Sequence, residues 1–96
     1  MPKIDVKTAV TAANSYLQDI KDLMKIQLES LRLEEVELSE DQHEWLITLG
    51  FDIPIRTNSL TNLMAGTSSV YQREYKLFKV DSETGEVKSM KIRSLK

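Results

Sequence analysis

The apolar residues near the start of the chain recur at steps of three and four positions. This spacing is typical of one face of an amphipathic helix, and Asp5, just before it, is a common helix N-cap. The pattern predicts a helix over about residues 5–28, roughly 30 Å long, which could cross the whole width of a sheet. The apolar positions are Val6, Ala9, Val10, Ala13, Tyr16, Leu17, Ile20, Leu23 and Met24.

From residue 31 onward the apolar period changes to two. The stretch "LRLEEVELS", residues 31–39, alternates, slips by one position at Glu34 and Glu35, and then resumes. Such a slip indicates either a β-bulge or a late strand start. The stretch "WLITLGFDIP" alternates without interruption until Pro54, which ends it. These patterns predict strands over about residues 31–39 and 44–53.

Residues 54–69, "PIRTNSLTNLMAGTSS", break the alternation. The segment is rich in Ser, Thr and Asn, yet it also contains Ile55, Leu60, Leu63 and Met64. A disordered segment has little reason to carry four apolar side chains. Two interpretations stay open, a flap packed over the sheet and a mobile linker.

Two further alternating runs, residues 70–80 and 86–95, flank the sequence "DSETG". Asp81 can accept hydrogen bonds from the backbone of its own turn, and Gly85 can take the positive φ that closes it. We therefore predict a single domain, residues 1–96, of the α+β class. Its long N-terminal helix packs on a four-stranded antiparallel meander sheet in two layers.

Both faces of this predicted sheet carry apolar residues. In the third strand Tyr75 and Leu77 are predicted on one face of the sheet, and Phe78 and Val80 on the other. In the fourth strand Val87 is predicted on the face opposite to that of Met90 and Ile92. Because one helix covers one face, we expect the other face to be covered by the flap, by a second copy of the chain or by a partner.

The closing strand–turn–strand "YKLFKVDSETGEVKSMKIR", residues 75–93, resembles the last hairpin of PepSY-type domains and of gas vesicle accessory O-type domains from bacteria. The preceding "VELSEDQHEWLITLGFD", residues 36–52, is similar to their first hairpin. The resemblance implies a cystatin-like roll, a helix wrapped by four antiparallel strands, which has no catalytic residues and acts through protein contacts. No binding motif matches position by position, so no functional residue is carried over.

Composition adds limits on chemistry and location. The absence of cysteine excludes disulfides and thiolate sites. The charged N-terminus does not resemble a signal peptide, and no run of about 18 apolar residues could span a membrane. We therefore expect a cytoplasmic protein without a membrane contact. The charge is uneven, with 6 Lys/Arg against 11 Asp/Glu in residues 1–70 and 7 against 4 in residues 71–96.

None of the candidate reactive groups forms a catalytic or metal-binding motif. "DSETGE" lacks the calcium-loop spacing because its fifth residue is Gly85 and the twelfth position is Ile92. His43 is the single histidine, and no serine lies in a nucleophile motif. We expect no enzyme activity, no metal and no cofactor.

The leading hypothesis is a non-enzymatic protein-interaction or accessory domain that acts through its open sheet face and the 54–69 flap. Because both faces of the predicted sheet carry apolar residues, we further predict that the chain self-associates as a homodimer. The candidate contact residues are Leu60, Leu63, Met64, Tyr71 and Tyr75.

Two alternatives belong to other functional classes. One is single-stranded nucleic-acid binding by the basic hairpin, although an acidic chain does not attract a polyanion at long range and pairing with Glu34, Glu35 and Glu37 would neutralise the cations. The other is a small-ligand pocket between helix and sheet, lined by Tyr16, Trp45 and Phe51. The nucleic-acid set is Tyr71, Arg73, Tyr75, Lys76, Lys88 and Lys91.

Overall fold

One helix and four strands follow one another along the chain. In the computed structural model, which describes residues 3–54 and 71–94, the strands form one antiparallel sheet in chain order, and the helix packs on one face. The predicted α+β two-layer fold is confirmed. The flap beyond Pro54, with Leu60, Leu63 and Met64, lies outside the described residues. The elements are α1 (Val6–Met24), β1 (Glu29–Leu38), β2 (Glu44–Pro54), β3 (Tyr71–Asp81) and β4 (Val87–Arg93).

Helix α1 begins at a capping residue and ends without one of the usual stop residues. The N–H of Thr8 donates to the Asp5 carboxylate at 2.8 Å, and this bond holds the pKa of Asp5 below its ordinary value. At the other end Lys25 adopts the left-handed conformation at φ 57°, and the N–H of Ile26 donates to the Lys21 carbonyl at 3.1 Å. The helix therefore stops at Met24, and the predicted end near residue 28 is wrong. A lysine in this C-terminal position carries no sequence signal of the kind a glycine gives.

The core lies between α1 and the central strands of the sheet. Ala9, Ala13 and Leu17, spaced by one helical turn, are buried against apolar side chains of β2 and β3. The two alanines let the helix backbone approach the sheet closely. The Tyr16 ring meets the ring of Phe78 edge-on, with centroids 6.2 Å apart. The sheet side of the core consists of Ile47, Leu49, Phe51, Phe78 and Val80.

A buried serine ties one end of the molecule together. The Ser82 hydroxyl donates to the carbonyl of Gln42 at 2.7 Å, and its N–H donates to the carbonyl of His43 at 2.9 Å. Its own carbonyl accepts from the N–H groups of Lys3 and Ile4 at 2.8 and 3.0 Å. The turn between β1 and β2, the turn between β3 and β4, and the segment before α1 therefore meet at one residue.

Three register shifts interrupt the pairing of the strands, and one of them lies between Glu29 and Arg32. The other two bear on the predicted sheet faces. The register of β1 on β2 shifts between Leu33 and Glu35, which confirms the bulge rather than the late start, since β1 begins at Glu29. A second shift, between Ser89 and Val87, turns Val87 toward the core on the same side as Met90. The expectation that Val87 lies opposite Met90 is therefore wrong. The bulge of one residue reverses the alternation there.

The small residues under α1 give a direct test of the packing. Ala13→Leu should lower the free energy of unfolding by about 1–3 kcal/mol, because a larger side chain at a fully buried position forces the helix away from the sheet. Ser15→Leu, at an exposed position of the same helix, is the control and should change it by no more than about 0.5 kcal/mol. Urea denaturation of both variants measures the difference. Equal stability of the two would contradict this packing.

Candidate functional site

The sheet face opposite α1 is crossed by a network of charged side chains. From β3, the Nη2 of Arg73 donates to Glu34 Oε2 on β1 at 2.6 Å, and its Nη1 donates to Asp52 Oδ1 on β2 at 3.2 Å. The same Nη1 donates to the carbonyl of Ser30 at 2.9 Å. The hydrogen bond to Glu34, and next in size the one to Asp52, raise the pKa of Arg73 above its ordinary value against the opposing effect of burial. One arginine therefore links three strands.

Gly50 of β2 makes room for this network. A Cβ atom at this position would lie 2.5 Å from Glu34 Oε2, 2.9 Å from Glu34 Cγ and 3.0 Å from Arg73 Nη2. Each of these distances is far below van der Waals contact. The absence of a side chain at Gly50 is therefore what allows the Glu34–Arg73 pair to lie flat on the sheet.

A second arginine crosses the same face from the opposite edge strand. The Nη1 of Arg93 on β4 donates to the hydroxyl of Thr48 on β2 at 2.8 Å. Its Nη2 lies 2.6 Å from Glu35 Oε1 on β1. Arg93 thus connects the two edges of the sheet across its face. The two pairs confirm the cross-strand pairing expected for Glu34 and Glu35.

The open face is consequently mainly polar, in contrast to the expected apolar surface. Tyr75 and Leu77 are half-buried there, and the Arg73 guanidinium lies 5.9 Å from the centre of the Tyr75 ring. Tyr71 is exposed near the end of β2, paired with Pro54. Of the five expected contact residues, Tyr71 and Tyr75 lie on this face, four positions apart on β3, and the other three lie outside the described residues.

The exposed apolar surface lies instead on the helix side of β1. Leu31, Leu33 and Val36 are 36%, 48% and 38% exposed, because α1 packs on β2, β3 and β4. We call these three side chains the β1 strip. Sequence reasoning placed these residues on a strand but did not identify them as exposed. The available signal was that β1 is the most acidic strand and the first of the meander, hence an edge.

A groove runs between the β1 strip and the helix. Its volume is about 280 Å³, and it is lined by the apolar side chains of Val10, Leu31, Leu33 and Leu49 together with Thr11, Asn14 and Arg32. The Arg32 side chain is exposed, and its Nε lies 3.6 Å from Glu34 Oε2. Its chemistry therefore suits apolar side chains rather than a polar small molecule.

A second cavity, of about 300 Å³, lies beyond the end of β4 beside the start of β3. Its arginines, Arg73 and Arg93, already pair with Glu34, Asp52 and Glu35. Because their charge is compensated within the chain, the cavity offers little attraction to an anion.

The turn "DSETG" uses its acidic group internally. Asp81 Oδ1 accepts from the N–H groups of Glu83 and Thr84 at 2.8 and 3.1 Å, and Gly85 has φ 80°. The bond from Glu83, followed by that from Thr84, holds the pKa of Asp81 below its ordinary value. In residues 3–54 and 71–94, no group of three His, Cys, Asp or Glu side chains is placed to hold a metal ion. His43 is exposed in the other turn, where its N–H donates to Asp41.

The structure also places the residues of the two alternatives. Of the basic set, Lys76 faces the helix side, in register with Leu49, while Arg73 pairs with Glu34 and Lys88 lies 3.2 Å from Glu44 Oε2. These residues do not form one basic surface.

The residues of the small-ligand alternative pack in or against the core. Phe51 is buried, Tyr16 contacts Phe78, and Trp45 donates through Nε1 to the carbonyl of Ile4 at 3.3 Å. These side chains therefore belong to the packing between helix and sheet and do not line a common pocket among the described residues.

Comparison with protein-family models, with curated proteins and with solved structures finds no match to this chain. The resemblance to PepSY-type domains and the cystatin-like description therefore stay predictions. Among the described residues, no helix has both the length and the apolar character needed to cross a bilayer.

Gly50→Ala tests the network on the open face. The added methyl group must displace Glu34 from Arg73, so we expect the free energy of unfolding to fall by about 1–3 kcal/mol. In a Glu34→Ala background the same change should be neutral or stabilising, since alanine suits a strand better than glycine. A double-mutant cycle by urea denaturation measures this coupling. Equal effects in both backgrounds would contradict the contact.

Asp81→Asn tests the turn through its pH dependence. A lowered pKa in the folded state means that the carboxylate stabilises the fold fully above its ordinary value of 3.8 and loses this effect as the pH falls through the lowered value. Asparagine keeps the acceptor oxygen but does not titrate. Between about pH 5 and about pH 2, unfolding free energy should therefore fall more steeply in the unmodified protein than in the variant. Parallel curves would show that Asp81 has no such role.

Proposed function

We propose that this chain is a non-enzymatic protein-interaction domain that associates with further copies of itself through the β1 strip and the groove beside α1. One observation carries the proposal, namely that Leu31, Leu33 and Val36 are each more than a third exposed, on the part of the helix-side face that α1 leaves uncovered. Adjacent exposed apolar side chains beside a groove are typical of contact surfaces.

The polar face is a poorer candidate for the main contact. Arg73 and Arg93 already have carboxylate partners there, and a partner would have to replace well-placed hydrogen bonds. This differs from the expectation that the open face itself forms the contact. Tyr71 and Tyr75 lie on that polar face, on β3, and therefore apart from the strip.

Contact between copies is favoured over contact with an unrelated protein by the charges of the sheet. Strand β1 has four glutamates and one arginine, whereas β4 has two lysines, one arginine and no acid. A chain that carries both signs of charge at separate edges can complement itself. A homodimer is the smallest such assembly. We further propose a cytoplasmic location, which agrees with the lack of cysteine.

The double change Leu33→Ser/Val36→Ser tests this function. Removing the apolar side chains should abolish self-association while the fold is kept, because both residues are substantially exposed. Light scattering of the intact chain and the variant, at concentrations up to about 1 mM, measures the solution mass. Circular dichroism verifies that the variant is folded.

Leu23→Ser provides the matched control. Leu23 is 75% exposed at the end of α1 and lies outside the strip, so its replacement should leave the mass of the assembly unchanged. An intact chain that stays monomeric over the whole concentration range would contradict the proposed function. So would an assembly that survives the loss of Leu33 and Val36.

A further inference from the structure

We infer that copies of the chain associate head to tail, with β4 of one copy lying beside β1 of the next, so that the sheet continues across the contact. The inference rests on the proposed self-association and specifies its geometry. It makes the outer edge of β4 a second contact surface, distinct from the β1 strip.

The topology makes such a continuation possible. In the described part of the chain β1 and β4 are the two edges of the sheet, and each presents backbone groups that no other strand occupies. Successive strands alternate in direction, so β4 of one copy and β1 of the next would run antiparallel. The junction would therefore repeat the pairing that already holds the sheet together.

The charges of the two edges are opposite. Strand β1 carries four glutamates and one arginine, a formal charge of −3, and β4 carries three cations, a formal charge of +3. Glu34, Glu35, Lys88 and Arg93 are already paired within the chain, so Glu29 and Glu37 on β1 and Lys91 on β4 are the charges that can act across a contact. Glu37 and Lys91 make no ion pair within residues 3–54 and 71–94, and both are exposed. Opposite charges on adjacent strands attract, whereas like charges directly opposite each other repel.

The apolar side chains of the two edges match as well. Ile92 of β4 is 83% exposed. In the register of the sheet it lies opposite Lys76 of β3, and Lys76 lies opposite Leu49 of β2, which belongs to the core. Ile92 therefore points to the helix side of the sheet, as Leu33 and Val36 do. Placed beside β1, it would meet the β1 strip and remove apolar surface of both copies from water.

Symmetric pairings lack this match. Two β1 strands side by side would bring Glu29 and Glu37 of one copy near the same residues of the other, and two β4 strands would bring Lys91 near Lys91. The head-to-tail contact joins different surfaces, so each assembly keeps one free β1 and one free β4 unless it closes into a ring. The regular part of β1 beyond its bulge is short, Glu35–Leu38, so the association should be weak and concentration-dependent.

Charge reversal at one edge at a time tests the geometry. In one variant, Glu29→Lys/Glu37→Lys reverses the net charge of β1, and in another, Lys88→Glu/Lys91→Glu reverses that of β4. Sedimentation velocity at low salt should show that each variant alone associates at least about tenfold more weakly than the unmodified chain. An equal mixture of the two should recover association, because each reversed edge then meets an edge of opposite charge.

Asp19→Lys/Asp22→Lys is the matched control. It changes the net charge by the same amount as the β1 variant, at exposed helix positions that belong to neither edge, and should leave association unchanged. If the unmodified chain associates but the β4 variant associates equally well, or the mixture does not recover, head-to-tail pairing is overturned while the proposed function stands. A chain that is monomeric at every concentration overturns both.

Discussion

Helix α1 packs mainly on three of the four strands and leaves part of β1 uncovered. An α-helix with its side chains is about 10 Å wide, whereas four strands spaced about 4.8 Å apart span nearly twice that width. Helix α1 therefore packs on β2, β3 and β4, and the apolar side of β1 stays in contact with water. The exposure of Leu31, Leu33 and Val36 follows directly from this difference in width. The proposed function depends on the same exposure.

The opposite face has a different chemistry. It carries Arg73 and Arg93, which extend over the neighbouring strands to Glu34 and Glu35. The arginine stems shield apolar surface while the guanidinium groups pair with carboxylates. Gly50 leaves the space in which one of these pairs lies. The charged network and the exposed strip thus lie on opposite faces of the same sheet.

Much of this fold could be predicted from local patterns, because each pattern depends on near neighbours in the chain. The helix spacing after Asp5, the alternation up to Pro54 and the slip at Glu34 all appear in the structure. The charged network and the exposure of β1 could not be predicted in this way, because they depend on residues far apart in sequence. Arg73 meets Glu34 across 39 positions, and the exposure of β1 depends on which strands the helix covers. The left-handed Lys25 and the bulge beside Val87 have no signal in residue type.

Self-association through the sheet edges can be tested by a dilution series of amide NMR spectra, from about 1 mM down to about 10 μM. If uncovered edges join the copies, the concentration-dependent shifts will concentrate in two separate groups, along β1 and along β4, while the buried face of α1 stays unchanged. Shifts confined to β1 would point to a symmetric contact instead. Spectra that do not change with concentration would contradict self-association through the sheet edges.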